Sequence, residues 1–106
     1  MTTSKRRIMF LRDEKFRPIG CIAISVNRQR ARIRYQVSVL NPIDKFERDL
    51  ARHIALGRLL EKPFVISMKG DCGWDINYAV MSSLEKNKDV PTRAQKAAKH
   101  WLDDNL

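Results

Sequence analysis

The chain has few cysteines, glycines and prolines, and it has no long hydrophobic segment. Two cysteines among 106 residues are too few for the disulfide framework of a small secreted protein, so we expect reduced thiols. The apolar stretch at residues 8–11 is shorter than the core of a signal peptide, which takes about 7 to 15 residues, and no stretch approaches the ~20 residues of a membrane span. We therefore expect a cytoplasmic protein without a membrane partner.

The sequence also lacks the motifs of metal sites and common enzymes. The two cysteines and two histidines form no Cys-x-x-Cys or His-x-x-x-His pair, so we expect no metal and no other cofactor. A thiol at Cys72 could act as a nucleophile only if folding brought His53 or His100 beside it. We expect a non-catalytic protein. A hydrolase that uses Cys72 or acidic residues is kept as an alternative, ranked third after the two binding functions given below.

Positive charge is present and is unevenly distributed. Residues 1–35 hold ten of the 21 lysines and arginines and two acidic residues, whereas residues 36–106 hold eleven basic and ten acidic residues. The first third therefore carries a net charge of +8 and the remainder +1. With a pI of about 10.1, this asymmetry suggests an anionic partner, most commonly nucleic acid. Alternatively, the net charge serves only solubility.

The hydrophobic pattern predicts a single α+β domain over residues 1–106. Strands are expected at residues 7–12, 19–26, 31–40 and 64–68, and helices at 42–60, 75–87 and 92–101, after a flexible basic arm at residues 1–6. Residues 31–40 alternate most regularly, with Ile33 and Tyr35 on one side and Arg32 and Arg34 on the other. The order β-β-β-α-β-α-α favours a mainly antiparallel four-stranded sheet with helices packed on one face.

The helix at residues 42–60 is predicted to be central. Asn41 can cap it, Pro42 fits its first position, and Asp44 can complete a capping box. We expect its apolar arc to pack on the apolar side of the third strand, and its glycine to mark a close approach of another backbone. The arc consists of Ile43, Phe46, Leu50, Ile54 and Gly57, with Ala51 at its edge.

The same stretch carries a resemblance. The pattern Asn41-Pro-x-Asp-x-Phe-x-Arg48, continued by Ile54-Ala-x-Gly-Arg-Leu59, resembles small bacteriophage and prophage accessory proteins of poorly characterised function over about residues 18–60. The resemblance implies a viral protein in the bacterial host cytosol that binds DNA, supports recombination or replication, or inhibits host defence. It implies no catalytic residues.

From the charge distribution we predict binding to DNA or RNA through phosphate contacts on a basic N-terminal sheet surface. Tyr35 follows the apolar alternation, and Phe10, Phe16 and Trp74 are expected in the core, so we expect no platform for stacking bases. The alternative is an inhibitor or adaptor that docks on an acidic host protein of a defence, recombination or repair complex. The candidate binding residues are Arg28, Arg30, Arg32 and Arg34, supported by Arg6, Arg7 and Arg17.

Overall fold

In the part of the chain that the structure describes, four strands and three helices follow one another in the predicted order. A computed structural model describes residues 5–41, 45–70 and 72–105. Its elements are β1 Lys5–Arg12, β2 Pro18–Asn27, β3 Arg32–Val39, α1 Arg48–Glu61, β4 Phe64–Ser67, α2 Gly73–Lys86 and α3 Thr92–Asn105. The α+β class and the four-stranded sheet are thereby confirmed. Within the described ranges, no helix is long and apolar enough to cross a membrane.

The four strands form one antiparallel sheet in the order β1-β2-β3-β4. Arg6 pairs with Ser25, which pairs in turn with Arg34, and Arg34 pairs with Val65. Residues 5 and 6, predicted to belong to a flexible arm, are thus part of β1, because their backbone joins the ladder with β2. Residues 1–4 of that arm lie outside the described residues.

Helices cover both faces of the sheet, so the prediction of helices on one face is wrong. Ile22 and Ile24 of β2 pack into a core formed with α2 and α3. Cys21 and Ala23 of the same strand pack against α1 on the opposite face. Because successive side chains of a strand point to opposite faces, β2 is buried on both sides. The small side chains of Cys21 and Ala23 let α1 approach the second face, where no helix was predicted.

Helix α1 differs from its prediction in both start and orientation. It begins at Arg48, after Glu47 at the cap position in an extended conformation, whereas a start near residue 42 was expected. Pro42 and Asp44 lie outside the described residues. The buried positions are Ala51, Ala55 and Leu59, so of the predicted arc only Ala51, at its edge, is among them. Phe46 is partly buried against the same cluster, and Ile43 lies outside the described residues.

Two members of the predicted arc show the rotation most clearly. Leu50 is 46% exposed. Around Gly57, an added Cβ would meet no atom within 4 Å, so no backbone approaches it closely. The reason is that the facing sheet surface is small and flat, so alanines rather than bulky residues of α1 lie against it.

Polar contacts fasten α1 to this small-residue face. The buried Ser38 hydroxyl donates a hydrogen bond to the Ala51 carbonyl oxygen at 2.7 Å. Arg58 donates to the Val37 carbonyl oxygen at 2.9 Å near the other end of the helix. These bonds tie the helix directly to β3, where little apolar volume is available to hold it.

The opposite face is packed by large side chains. Tyr35 is fully buried there, and its hydroxyl lies 2.7 Å from the Ser83 hydroxyl and accepts a hydrogen bond from Asn87 at 3.1 Å. The main core also contains Leu11, Ile22, Ile24, Ile33, Val37, Ile76, Val80, Met81, Leu84, Ala94, Ala98 and Leu102. The apolar side of β3 therefore faces α2 and α3, and not α1 as predicted.

Candidate nucleic-acid interface

The β2–β3 hairpin presents two arginines at one end of the sheet. Its turn spans residues 28–31 between the paired residues Asn27 and Arg32. The Asn27 side-chain oxygen accepts a hydrogen bond from the Arg30 backbone N–H at 3.2 Å, and Ala31 takes a left-handed conformation with φ of 51°. The turn leaves the side chains of Arg28 and Arg30 exposed.

Three more arginines lie on the α1 side of the sheet beside this hairpin. Arg6 and Arg34 flank Ser25 in register, and Ser25 shares its face with Ala23 beneath α1. Two strand spacings separate Arg6 from Arg34, about 10 Å, and Arg32 follows about 7 Å along β3. The side chains of Arg6, Arg32 and Arg34 are exposed.

We call these five residues the arginine cluster: Arg6, Arg28, Arg30, Arg32 and Arg34. Within the part of the chain that the structure describes, no carboxylate lies within 4 Å of four of them, Arg6, Arg30, Arg32 and Arg34. Guanidinium groups donate several hydrogen bonds in a fork that fits phosphate. The cluster therefore offers donors to an anionic ligand.

Arg7, although adjacent to Arg6, does not join the cluster. Its side chain points to the opposite face and donates hydrogen bonds to the Gly73 carbonyl oxygen at 3.2 Å and to Asn77. Burial lowers the pKa of Arg7, and the nearby charge of Arg28 lowers it further. Arg7 thus connects β1 to the start of α2.

Arg17 is separated from the cluster by the length of the sheet. It lies in the β1–β2 turn, where its backbone N–H donates to the Asp13 carboxylate at 2.9 Å. That hydrogen bond, together with one from Lys15, lowers the pKa of Asp13. Strand β2 places this turn about 30 Å from the β2–β3 hairpin.

A groove between β1 and α1 continues from Arg6 and adds two arginines that the sequence reasoning missed. It has a volume of about 700 Å³, and Arg48 and Arg52 of α1 line it together with Asp49. The Arg48 guanidinium lies 4.8 Å from the centre of the Phe10 ring. The available signal was their four-residue spacing, which places both on one side of a helix.

Trp74 is not in the core, and that prediction is wrong. It is 49% exposed and stacks on Tyr78, with ring centres 5.2 Å apart and ring planes 14° apart. Helix α2 begins at Gly73, and Cys72 at its cap accepts a hydrogen bond from the Asp75 N–H at 3.4 Å. This early helix start directs Trp74 to the surface.

The cysteines and histidines are not brought together. Burial raises the pKa of the Cys21 thiol to about 11, whereas Cys72 is exposed and its thiol donates to the Asp75 carboxylate at 2.9 Å. His53 lies on α1, across the sheet from α2, and His100 lies on α3 within 3.6 Å of Asp104. In the described ranges, no three acidic, cysteine or histidine side chains are grouped closely enough to hold a metal ion.

Comparison with known proteins assigns no family to this arrangement. No family model, curated protein or solved structure matches the chain. The arginine cluster and its surroundings therefore carry the functional argument.

Proposed function

We propose that this protein binds nucleic acid through phosphate contacts made by the arginine cluster. The observation that supports this proposal is the register of the sheet. It brings Arg6 and Arg34 to one face, on either side of Ser25, next to the hairpin that carries Arg28 and Arg30. Five guanidinium groups at one end of a small protein produce a positive potential that attracts a polyanion.

The surroundings extend this surface along α1. Arg48 and Arg52 line the groove that begins at Arg6, and among the described residues that line it Asp49 is the one carboxylate. A nucleic-acid backbone crossing the cluster could follow this groove past α1. Phosphate contacts of this kind position a ligand without reading its base sequence, so the proposed binding is sequence-independent and non-catalytic. A bacteriophage accessory role in the host cytoplasm stays part of the proposal.

The decisive experiment reverses charge within the cluster. A labelled DNA duplex is titrated by fluorescence anisotropy with the wild-type protein and the double variant Arg30→Glu/Arg32→Glu, at 50 mM and 200 mM salt. We expect the variant to bind at least about tenfold more weakly on all sequences. Its slope of log affinity against log salt should fall by about 2, because two phosphate contacts are lost.

The matched control is Arg17→Glu, which makes the same type of charge change at the far end of the sheet. It should alter affinity by less than about threefold, because only the long-range field changes. Binding that does not depend on salt would contradict the proposal. An equal loss of binding free energy per substitution in Arg17→Glu and in the double variant would also contradict it, because that result would show that only the net charge matters.

One observation favours a protein-binding inhibitor or adaptor as the second candidate. Val65 on the edge strand β4 is 53% exposed, and Leu60 near the end of α1 is 66% exposed. An edge strand with an exposed apolar side chain can pair with a strand of another protein. A stoichiometric partner recovered from nuclease-treated bacterial lysate by the wild-type protein, but not by Val65→Lys, would support this function.

A further inference from the structure

Helix α2 carries an exposed pair of aromatic rings. Trp74 is 49% exposed and Tyr78 is 37% exposed, and their rings stack with a 14° angle between planes. In such a nearly parallel pair, each ring covers one face of the other and leaves its second face for another partner. Large apolar groups of this size are usually buried, so a pair held at the surface indicates a binding role.

The pair borders a cleft between α2 and the edge strand β4. The cleft has a volume of about 530 Å³. Its lining includes the polar side chains of Ser67, Lys69 and Ser82 and the apolar side chains of Ile66 and Ala79. A flat ring can therefore enter beside the indole and find hydrogen-bonding groups at its edges.

The sheet register places this cleft at the hairpin end of the sheet, on the α2 side, with Arg32 and Arg34 across the neighbouring strand β3 on the α1 side. Ser67 pairs with Arg32, and the Met68 N–H donates to the Ala31 carbonyl oxygen at 2.7 Å. The chain then continues through Lys69 and Gly70 to the start of α2. One end of the molecule therefore combines a cationic hairpin, Lys69 and an exposed aromatic pair.

We propose that Trp74 and Tyr78 stack on unpaired bases of a single-stranded nucleic acid whose phosphates contact the arginine cluster and Lys69. This inference rests on the proposed function and specifies its ligand. In a duplex, each base face is covered by the neighbouring base pairs, so an aromatic side chain can stack only on an unpaired base. A cationic surface beside aromatic rings is the combination by which proteins bind single strands without sequence preference.

The single carboxylate among the described residues that line the cleft does not oppose this assignment. Asp75 lies in the first turn of α2 and accepts a hydrogen bond from the Cys72 thiol at 2.9 Å. The positive end of the helix dipole offsets part of its charge. Lys69 lines the same cleft, and residues 67 and 68 join it to the hairpin through Arg32 and Ala31.

The test compares an oligothymidylate of about 15 nucleotides with a duplex of the same length. In a Trp101→Phe protein, Trp74 is the single tryptophan, and we expect the oligothymidylate to quench its fluorescence. Trp74→Ala should raise the Kd for the single strand about tenfold and leave the salt slope unchanged, since stacking does not release counterions. The Kd for the duplex should change less than twofold.

The matched controls are Trp74→Phe and Tyr78→Phe, which keep an aromatic ring. Their Kd values for the single strand should stay within about threefold of the wild-type value.

The outcomes separate this inference from the function on which it rests. If the cluster variant loses salt-dependent binding but Trp74→Ala binds the single strand as tightly as the wild type, the stacking inference is overturned and phosphate binding stands. If neither strand form binds with salt dependence, both are overturned. Circular dichroism checks that Trp74→Ala is folded. Tyr78→Ala is a second variant, and we expect it also to lose affinity for the single strand more than for the duplex.

Discussion

The two faces of the sheet are buried by different means, although both rest on the same central strands. Toward α2 and α3, β2 presents Ile22 and Ile24, which fill the core with apolar volume. Toward α1, it presents Cys21 and Ala23, which allow the helix to lie close but contribute little buried area. Burial stabilises by roughly 25 cal/mol per Å², so the large-residue face supplies most of the hydrophobic stabilisation.

The α1 face compensates with hydrogen bonds between side chains and backbone. Ser38 and Arg58 each connect β3 and α1 through a carbonyl oxygen. Each bond of this kind contributes about 1 kcal/mol net. A sheet face of small residues can therefore hold a helix when polar contacts fix that helix in place.

The largest expected effect is a loss of volume on the large-residue face. Ile24→Ala should lower the free energy of unfolding by about 3 kcal/mol, because it removes a fully buried side chain and leaves a cavity. Urea denaturation followed by circular dichroism measures the change. Ala23→Gly, one residue away on the other face, should cost only about 1 kcal/mol. Equal losses at the two positions would remove the distinction between the faces.

A gain of volume should harm the opposite face. Ala55→Leu should lower the free energy of unfolding by about 2 kcal/mol, because the fully buried Ala55 leaves no room for a larger side chain beneath α1. Gly57→Ala on the exposed side of the same helix should instead stabilise the protein by about 0.5 to 1 kcal/mol. A neutral Ala55→Leu would show that α1 does not lie close to the sheet.

The smallest expected effect is a dependence on pH that also belongs to the α1 face. The pKa of the buried Cys21 thiol is raised from 9.0 to about 11, so the unfolded chain loses this proton at a lower pH than the folded protein. Its contribution is complete below pH 9.0 and is lost as the pH rises toward 11. Stability should fall by about 1 kcal/mol between pH 9 and pH 10 from this group alone.

Cys21→Ala isolates that contribution. Denaturation of the wild type and this variant at several alkaline pH values gives two slopes, and their difference belongs to Cys21. Parallel slopes would mean that the thiol is accessible to water in the folded protein.

Local patterns were sufficient to predict the strands but not the faces to which the helices dock. Alternation located β3 within about a residue because each side chain reports its own face. The face of the sheet on which α1 docks depends on how closely the helix and strand backbones can approach each other. Cys21 and Ala23 permit a close approach, but no hydrophobic periodicity in the sequence indicates it. The capping signals at Asn41 also predicted a start of α1 that is too early. They express a local preference, whereas the helix is held to the sheet by Ala51 and Ala55, whose contacts are made by a helix that begins at Arg48.

The arginine cluster, too, could be predicted only in part from the sequence. Counting charge identified the hairpin arginines, but it also included Arg7 and Arg17, which the fold places elsewhere. Period-two alternation already separates Arg6 from Arg7, so that distinction was present in the sequence. The position of Arg48 beside Phe10 was not, because it arises from tertiary packing between α1 and β1.

The left-handed Ala31 in the hairpin turn has an energetic consequence. A residue other than glycine costs about 1 kcal/mol in this conformation, and it persists here because Asn27 closes the turn on one side and Met68 holds the Ala31 carbonyl on the other. These two contacts hold the backbone of the turn in one conformation. In the proposed association with nucleic acid, a backbone held in this way would lose less freedom than an unconstrained loop, so less of the interaction energy would be consumed in ordering it.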